Sequence, residues 1–302
     1  MKIFLTGATG FIGTALVPEL INAGHQVLGL ARSDDGAKRL IAAGAKVHRG
    51  SLEHPSSLRL GAAGSDGVIH CAYDHDFSTF EESGKKESRA IDALGSALIG
   101  TDRPLIITSV TAMGAAAPGR IATEDYYIPN HPIPRTPTEN AGAAVADRGV
   151  NVSVVRLPQV HNKVKQGLIS QLIGLARDKG VSAYVEEGVN RWPAVHLLDV
   201  ARLYRLAFEK HEPSSRYNAV AEEGIPLRQI AEAIGKLLQI PVVSIRMEEA
   251  QSHFGWLAMF AGMDMPASSQ LTRQRLGWHP TGPGLLSDLE RDARTDTQGG
   301  NF

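Results

Sequence analysis

From its first residues the chain reads Met1-Lys2-Ile3-Phe4-Leu5-Thr6-Gly7-Ala8-Thr9-Gly10-Phe11-Ile12-Gly13. A short apolar strand runs into three glycines spaced three apart, and residues 14–23 then carry a helical apolar period. Strand, tight turn and helix N-terminus in that order make a cradle for an anion. Gly7 turns the chain off the strand, Gly10 lets a pyrophosphate approach the backbone, and Gly13 lets the helix pack on the sheet. Thr9, Phe11 and Ile12 complete the turn as candidate cofactor contacts. The spacing points to a bound dinucleotide; the alternative is a strand-to-helix turn that holds nothing.

Outward from this turn, strand candidates at 2–6, 26–30, 45–49, 67–71, 104–108 and 151–156 alternate with helical stretches near 12–23, 35–43, 55–62, 77–99 and 138–148. That rhythm predicts an α/β fold, a doubly wound parallel sheet of Rossmann type with its ligand at the carboxyl ends of the strands. Residues 114–137 break the rhythm with Tyr126-Tyr127, Pro129, Pro132, Pro134 and Pro137. So long an aperiodic stretch reads as functional or mobile, such as an active-site flap. Beyond it, a helix near 164–179, strands around 182–185 and 192–195, helices near 197–210 and 226–238 and a strand near 216–220 are expected. The division is a dinucleotide-binding domain over 1–160 and a smaller, discontinuous C-terminal substrate-binding cap over 161–302, with 186–215 returning to the main domain. Thr295 to Phe302 read as a frayed end.

At 302 residues, 43% hydrophobic and 21% charged, the composition is that of one or two globular domains. Thirty-one basic and thirty-two acidic residues leave a net charge of −1, and no block of like charge argues for a nucleic acid or a membrane surface. Anion binding must therefore come from local geometry, and the partner is a small-molecule substrate. A single cysteine, Cys71, excludes an intrachain disulfide and any multi-cysteine metal centre. The run His70-Cys71-Ala72-Tyr73-Asp74-His75-Asp76 lacks the repeated spacing of a zinc motif, so no metal is expected. With no signal peptide and no membrane-length apolar run, the expected compartment is cytoplasmic.

The second strand ends Leu30-Ala31-Arg32-Ser33, where an NAD-binding chain commonly places a carboxylate for the ribose 2′-hydroxyl. Arg32 instead offers a charged planar fork for a 2′-phosphate, and Ser33 a hydroxyl. Asp34 and Asp35 read as residues that cap and charge the next helix. NADP(H) is therefore preferred over NAD(H), against the alternative of a solvated surface arginine at position 32.

The sum of these residues resembles the extended short-chain dehydrogenase/reductase superfamily, near its NAD-dependent epimerase/dehydratase branch. Thr6-Gly7 to Gly13 matches that group's TGxxGxxG turn. Val68-Ile69-His70-Cys71-Ala72 resembles its fourth-strand segment, which implies that Cys71 and Ala72 lie beside the cofactor. Ile106-Ile107-Thr108-Ser109 resembles the fifth strand, whose terminal serine helps hold the reacting carbonyl, and Val154-Val155-Arg156-Leu157-Pro158 the sixth strand, with Pro158 beside the nicotinamide. Ala194-Val195-His196-Leu197-Leu198-Asp199-Val200-Ala201 resembles the segment at which the cap returns. The resemblance also implies a homodimer through the fourth and fifth helices.

The superfamily's catalytic Tyr-x-x-x-Lys pair is missing. The residues four beyond the tyrosines at 73, 126, 127, 184, 204 and 217 are Phe77, Asn130, His131, Gly188, Phe208 and Ala221. Alignment back from Glu139 puts His131 and Arg135 at the two positions, with Pro132 and Pro134 between them spoiling a helix interior. The chain thus resembles an atypical member. Candidates for the chemistry are Ser109 as a carbonyl hydrogen-bond donor, Tyr73 at the cofactor rim, Tyr126 in the flap and His131 as an acid near neutral pH. Each has a structural alternative: a serine satisfied by its surroundings, a ring lining the cleft, a ring under the loop and a turn residue. Arg191 and Trp192 between core and cap, and Phe254 and Trp256 in the cap, are candidate substrate contacts whose alternative is packing. The resulting expectation is an NADP(H)-dependent reductase acting on a small carbonyl or imine. Its rival is a non-catalytic NADP(H)-sensing regulatory protein.

Overall fold

The computed structural model describes residues 1–74 and 80–296. Its first half runs β1 (Lys2–Thr6), α1 (Phe11–Asn22), β2 (Gln26–Ala31), α2 (Asp34–Ala42), β3 (Lys46–Arg49), α3 (Pro55–Ala63), β4 (Gly67–His70), α4 (Phe80–Ser96), β5 (Pro104–Val110), α5 (Thr136–Ala146) and β6 (Asn151–Leu157). There follow β7 (Gln159–His161), α6 (Ile169–Lys179), β8 (Ser182–Val185), β9 (Arg191–His196), α7 (Leu197–Lys210), β10 (Arg216–Asn218), β11 (Glu222–Pro226), α8 (Leu227–Leu238) and β12 (Val242–Ile245). The chain then forms short α9 (Ala250–Phe254) and α10 (Ala258–Ala261), α11 (Gln270–Leu276) and α12 (Leu285–Asp296).

Seven strands make one parallel sheet in the order β10-β6-β5-β4-β1-β2-β3. The chain winds outward from β1 to β3, then crosses back to β4 on the other side of β1. That reversal opens a crevice at the carboxyl ends of β1 and β4, where the glycine turn stands. Period-two alternation divides the strand residues between the two faces. Ile3 and Leu5 join the apolar cluster with α1 and α7 residues such as Leu16, Leu20 and Leu203, while Phe4 joins Leu58 of α3 and Ile91 of α4. The fold is a doubly wound Rossmann-type α/β sheet.

The sequence rhythm predicts six strands before the cap. The seventh, β10, pairs in parallel with β6 (Arg216 opposite Val154) although about sixty residues of chain separate them. A three-stranded sheet, β11-β9-β7, and a two-stranded one, β12-β8, build the smaller layer. Residues from α6, β8, α8, α9 and α12 share its apolar cluster. Trp278, near the chain's end, is instead buried against α7, and its indole N–H donates to the Asp199 carbonyl (3.0 Å). The helix expected from 164 starts only at Ile169, because Asn162–Leu168 is folded into a tight hook. The expectation of a frayed end falls mostly on residues 297–302, which lie outside the described residues.

Candidate functional site

The glycine turn is braced from two sides. Gly7 has φ +70°, and a Cβ there would stand 2.7 Å from the Ala72 nitrogen and the Cys71 carbonyl carbon. A Cβ at Gly13 would stand 2.2 Å from the Gly7 oxygen, so α1 sits directly against the turn. At Gly10 the same atom would meet only the Gly7 oxygen, at 3.2 Å. The internal packing demands glycine at 7 and 13; at 10 it leaves the approach to the backbone open. Gly10 caps α1 without a side-chain hydrogen bond, and no acidic residue stands in the helix's first turn. The positive end of the helix is thus uncompensated by its own chain, which fits the diphosphate of a dinucleotide.

Beside the turn, the N-terminus of α2 is capped by Ser33, whose Oγ accepts from the Gly36 N–H (3.1 Å). Thr9 adjoins it: a Cβ on Gly36 would lie 3.2 Å from both Thr9 Cγ2 and Ser33 Oγ. The cap is therefore Ser33, with Asp34 and Asp35 as first-turn charges. Arg49 pairs with Asp34. Arg32 is exposed and makes no ion pair among the described residues.

Under the rim a polar chain crosses the sheet. Thr6 Oγ1 shares a 2.7 Å hydrogen bond with His70 Nδ1, Thr108 Oγ1 donates to the His70 carbonyl (2.7 Å), and Tyr204 meets Thr108 at 2.6 Å. Burial, with the Arg135 charge, lowers His70 to about 3. Burial lifts the Cys71 thiol to about 11, against the lowering hydrogen bonds of Thr108 and Tyr204.

The structure brings Tyr73 and Arg135 together. The Arg135 guanidinium carbon lies 3.8 Å over the Tyr73 ring. Its nitrogens meet the Glu87 carboxylate at 2.9 and 3.0 Å, and Nη2 donates to the Thr108 carbonyl (2.7 Å). Thr138 Oγ1 donates to Glu87 Oε2 (2.6 Å), the oxygen that Arg135 Nη1 also meets. Burial pushes the Glu87 carboxyl up, and the arginine and threonine oppose it. Burial likewise raises the Tyr73 phenol, against the lowering pull of Arg135. Because α5 begins only at Thr136, Arg135 precedes the helix and reaches inward from its cap. His131 is a turn residue: its Nδ1 accepts from the Ile133 N–H (3.3 Å), and its carbonyl accepts from Thr136 (2.6 Å).

Ser109 is 1% exposed, and its hydroxyl lies beside Glu139 rather than opening onto the rim. Burial raises the Glu139 carboxyl, but Arg156, Ser109 and Arg216 outweigh it and hold it below the ordinary carboxylate range. Arg156, fully buried on β6, donates twice to Glu139 (2.8 Å each) and also to the carbonyls of Thr123 (3.1 Å) and Tyr126 (2.9 Å). That arginine was missed as a functional residue. The signal was available, since a charge inside the apolar run Val152-Ser153-Val154-Val155-Arg156 requires a buried partner. Arg156 fixes the aperiodic segment from below. Glu124 accepts from the Thr272 N–H (2.8 Å) and hydroxyl (2.7 Å), and Ala122 forms a bridge with Ala267, so the segment is pinned from above as well. The middle of residues 114–137 is a stitched strap, and Tyr126 sits at one of its fixed points.

The cap candidates divide differently from the sequence expectation. Trp192 is fully buried and Phe254 is 4% exposed; both belong to the cap's apolar core, which corrects their placement against substrate. The Arg191 guanidinium is held by Asp264 (2.9 and 3.1 Å) and braces β9 against the 263–266 segment. Trp256 remains partly exposed, edge-on to Phe260 at 6.3 Å. Pro158 lies half-buried at the β6–β7 turn. Among the described residues no three His, Cys, Asp or Glu side chains could hold a metal ion, and His75 and Asp76 lie outside those residues. Among the same residues no helix is long and apolar enough to cross a membrane.

Comparison with known proteins gives four findings. Residues 3–220 match the profile described as the NAD dependent epimerase/dehydratase family. An uncharacterised protein of Schizosaccharomyces pombe is 50% identical over 294 residues, covering 97% of this chain and 99% of its own. In shape, the chain is similar to a dTDP-glucose 4,6-dehydratase from Streptomyces venezuelae solved with NAD (TM-score 0.77, 16% identity, 99% of this chain and 98% of that one). It is also similar to a human epimerase family protein solved with NADPH (TM-score 0.72, 18% identity, 97% and 99%).

Proposed function

The chain belongs to the NAD dependent epimerase/dehydratase family, and from that premise we propose that it is an NADP(H)-dependent oxidoreductase that reduces a small carbonyl or imine substrate. In this reading Gly7, Thr9, Gly10, Phe11, Ile12 and Gly13 cradle the diphosphate, while Cys71, Ala72 and Pro158 line the cofactor. Arg32 and Ser33 take the 2′-phosphate. The observation that carries the cofactor choice is Arg32, an exposed guanidinium with no carboxylate partner among the described residues, next to the Ser33 cap. When bound, the cofactor supplies the hydride. The chain's part is to orient the carbonyl and deliver a proton to its oxygen. Tyr73 is assigned that proton, because it follows β4 at the rim and Arg135 stacks on its ring.

One observation favours a second reading. Arg135, at the place the family gives to its lysine, is already engaged by Glu87 and the Thr108 carbonyl, as suits a protein that binds NADP(H) as a signal without turning it over. NADPH consumption across a panel of ketones, aldehydes and imines separates the two. Turnover with any of them, abolished in Tyr73→Phe, supports the reductase. Tight NADPH binding with no turnover on any substrate supports the sensor.

A further inference from the structure

Between β7 and α6 the chain folds back on itself in a hook. The Asn162 side-chain oxygen accepts from the N–H groups of Val164 (2.8 Å) and Lys165 (2.9 Å), and the Asn162 N–H donates to the Lys165 carbonyl (2.9 Å). Gln166 closes it: Nε2 donates to the Asn162 carbonyl (3.0 Å), and its backbone bridges to His161. Two lysines, Lys163 and Lys165, are thereby held out on an ordered turn with Val164, which is 87% exposed, between them. Neither lysine makes an ion pair among the described residues. The hook points back toward the main sheet: the Lys165 ammonium stands 5.6 Å from the centre of the Phe11 ring. Phe11 is the first residue of α1, directly after the uncapped Gly10.

We propose that Lys165 is a diphosphate-binding residue, a clamp supplied by the β7–α6 hook that closes over the dinucleotide from the side opposite the glycine turn. The inference rests on reading that turn as the dinucleotide site. The chain as a whole offers an anion no attraction, since its net charge is −1, so a local cation is what raises affinity. Phe11 is partly buried against the main apolar cluster, and an exposed ammonium with only such a ring for a partner is weakly held and readily exchanges it for a phosphate oxygen, a stronger partner. The hook is already fixed by Asn162 and Gln166, so little ordering is needed to bring the charge across. Lys165 would then recognise the diphosphate common to NAD(H) and NADP(H), a task separate from that of Arg32.

The test is titration of the full-length protein with three probes: NADPH, ADP-ribose and adenosine 2′-monophosphate. Lys165→Ala is expected to weaken NADPH and ADP-ribose by about tenfold, the size of one charge-assisted contact, and to leave the 2′-monophosphate within about twofold. Arg32→Ala is expected to weaken NADPH and the 2′-monophosphate and to spare ADP-ribose. Lys163→Ala, which changes the same charge on the same hook away from Phe11, should bind all three like the parent. Parent-like binding by Lys165→Ala, or an equal loss on all three probes, overturns the clamp and leaves the dinucleotide site standing. Failure of the unaltered protein to bind NADPH or ADP-ribose overturns both.

Discussion

In the proposed reading the guanidinium of Arg32 takes the place where a carboxylate would select a free ribose hydroxyl, and its acidic neighbour Asp34 is occupied by Arg49. Arg32→Asp should raise the Kd for NADPH by about a hundredfold, attraction turning to repulsion next to a dianion. It should change the Kd for NADH by no more than about threefold, since NADH has no phosphate at that position. Equal losses for the two cofactors in a fluorescence titration would refute the assignment. Tyr73 makes the complementary case. Tyr73→Phe keeps the ring under Arg135 and removes only the hydroxyl, so kcat should fall by about two to four orders of magnitude while NADPH affinity holds. Unchanged kcat would release Tyr73 from the proton step. The position of Arg32 just past β2 was legible in the sequence because it depends on one strand end. The contact of Tyr73 with Arg135 was not, because sixty-two positions separate them and only the closing of β4 on β5 makes them meet.

At the scale of elements, the aperiodic stretch is the instructive case. Prolines and the absence of a period mark a segment that breaks the helix-and-strand rhythm, but they do not reveal where it is tied. Arg156, Glu139 and the carbonyls of Thr123 and Tyr126 tie it, all within a buried network. Arg156→Met leaves Glu139 without its main buried partner, and should cost about 3–5 kcal/mol of unfolding free energy in urea. It should also open a cut site between residues 115 and 130 in limited proteolysis. A stable, protease-resistant variant would show that the strap is held some other way. The same stretch shortens α5. Pro132 and Pro134 cannot donate backbone hydrogen bonds, so the helix starts at Thr136 and Arg135 is released to turn inward. Strands β7, β11 and β12 escaped the sequence reading for a different reason. At three to five residues each, they carry too few alternations to show a period, and their partners lie far along the chain.

For the whole molecule, burial of titratable groups gives a pH dependence whose direction is fixed. Unfolded His70 takes up a proton near 6.5, but the folded residue does so only at about 3. Between those values the unfolded chain binds more protons, so stability declines as pH falls, by about 1.4 kcal/mol per unit for such a group. His161 acts in the same sense, since burial lowers it against the pull of Asp288 and Glu222. Glu139, held low, adds to the loss once pH falls below the ordinary carboxylate range; Glu87, held high by burial, works the other way. Urea midpoints should therefore drop from pH 7 to pH 5, and His70→Asn should show a shallower decline than the parent. Parallel slopes would mean that His70 is not buried in its neutral form. The seven-stranded sheet belongs to this scale too. Its last strand, β10, joins β6 only after β7, α6, β8, β9 and α7 have been laid down, and α7 packs against both β6 and the small-sheet strands β7 and β9.

The sequence by itself determined the glycine turn, the strand-and-helix alternation behind it and the absence of a Tyr-x-x-x-Lys pair. All three are local, set by residues within a turn or two of one another, where backbone sterics and apolar period act directly. The tertiary structure alone decided what each side chain meets. It put Trp192 and Phe254 into the cap's core, set Ser109 beside a buried ion pair, and drew Arg135 onto Tyr73. It also carried Lys165 from beyond the sixth strand back over Phe11. Those meetings depend on how crossovers and sheets close across the whole chain, and residues brought together that way leave no mark in the spacing of their neighbours.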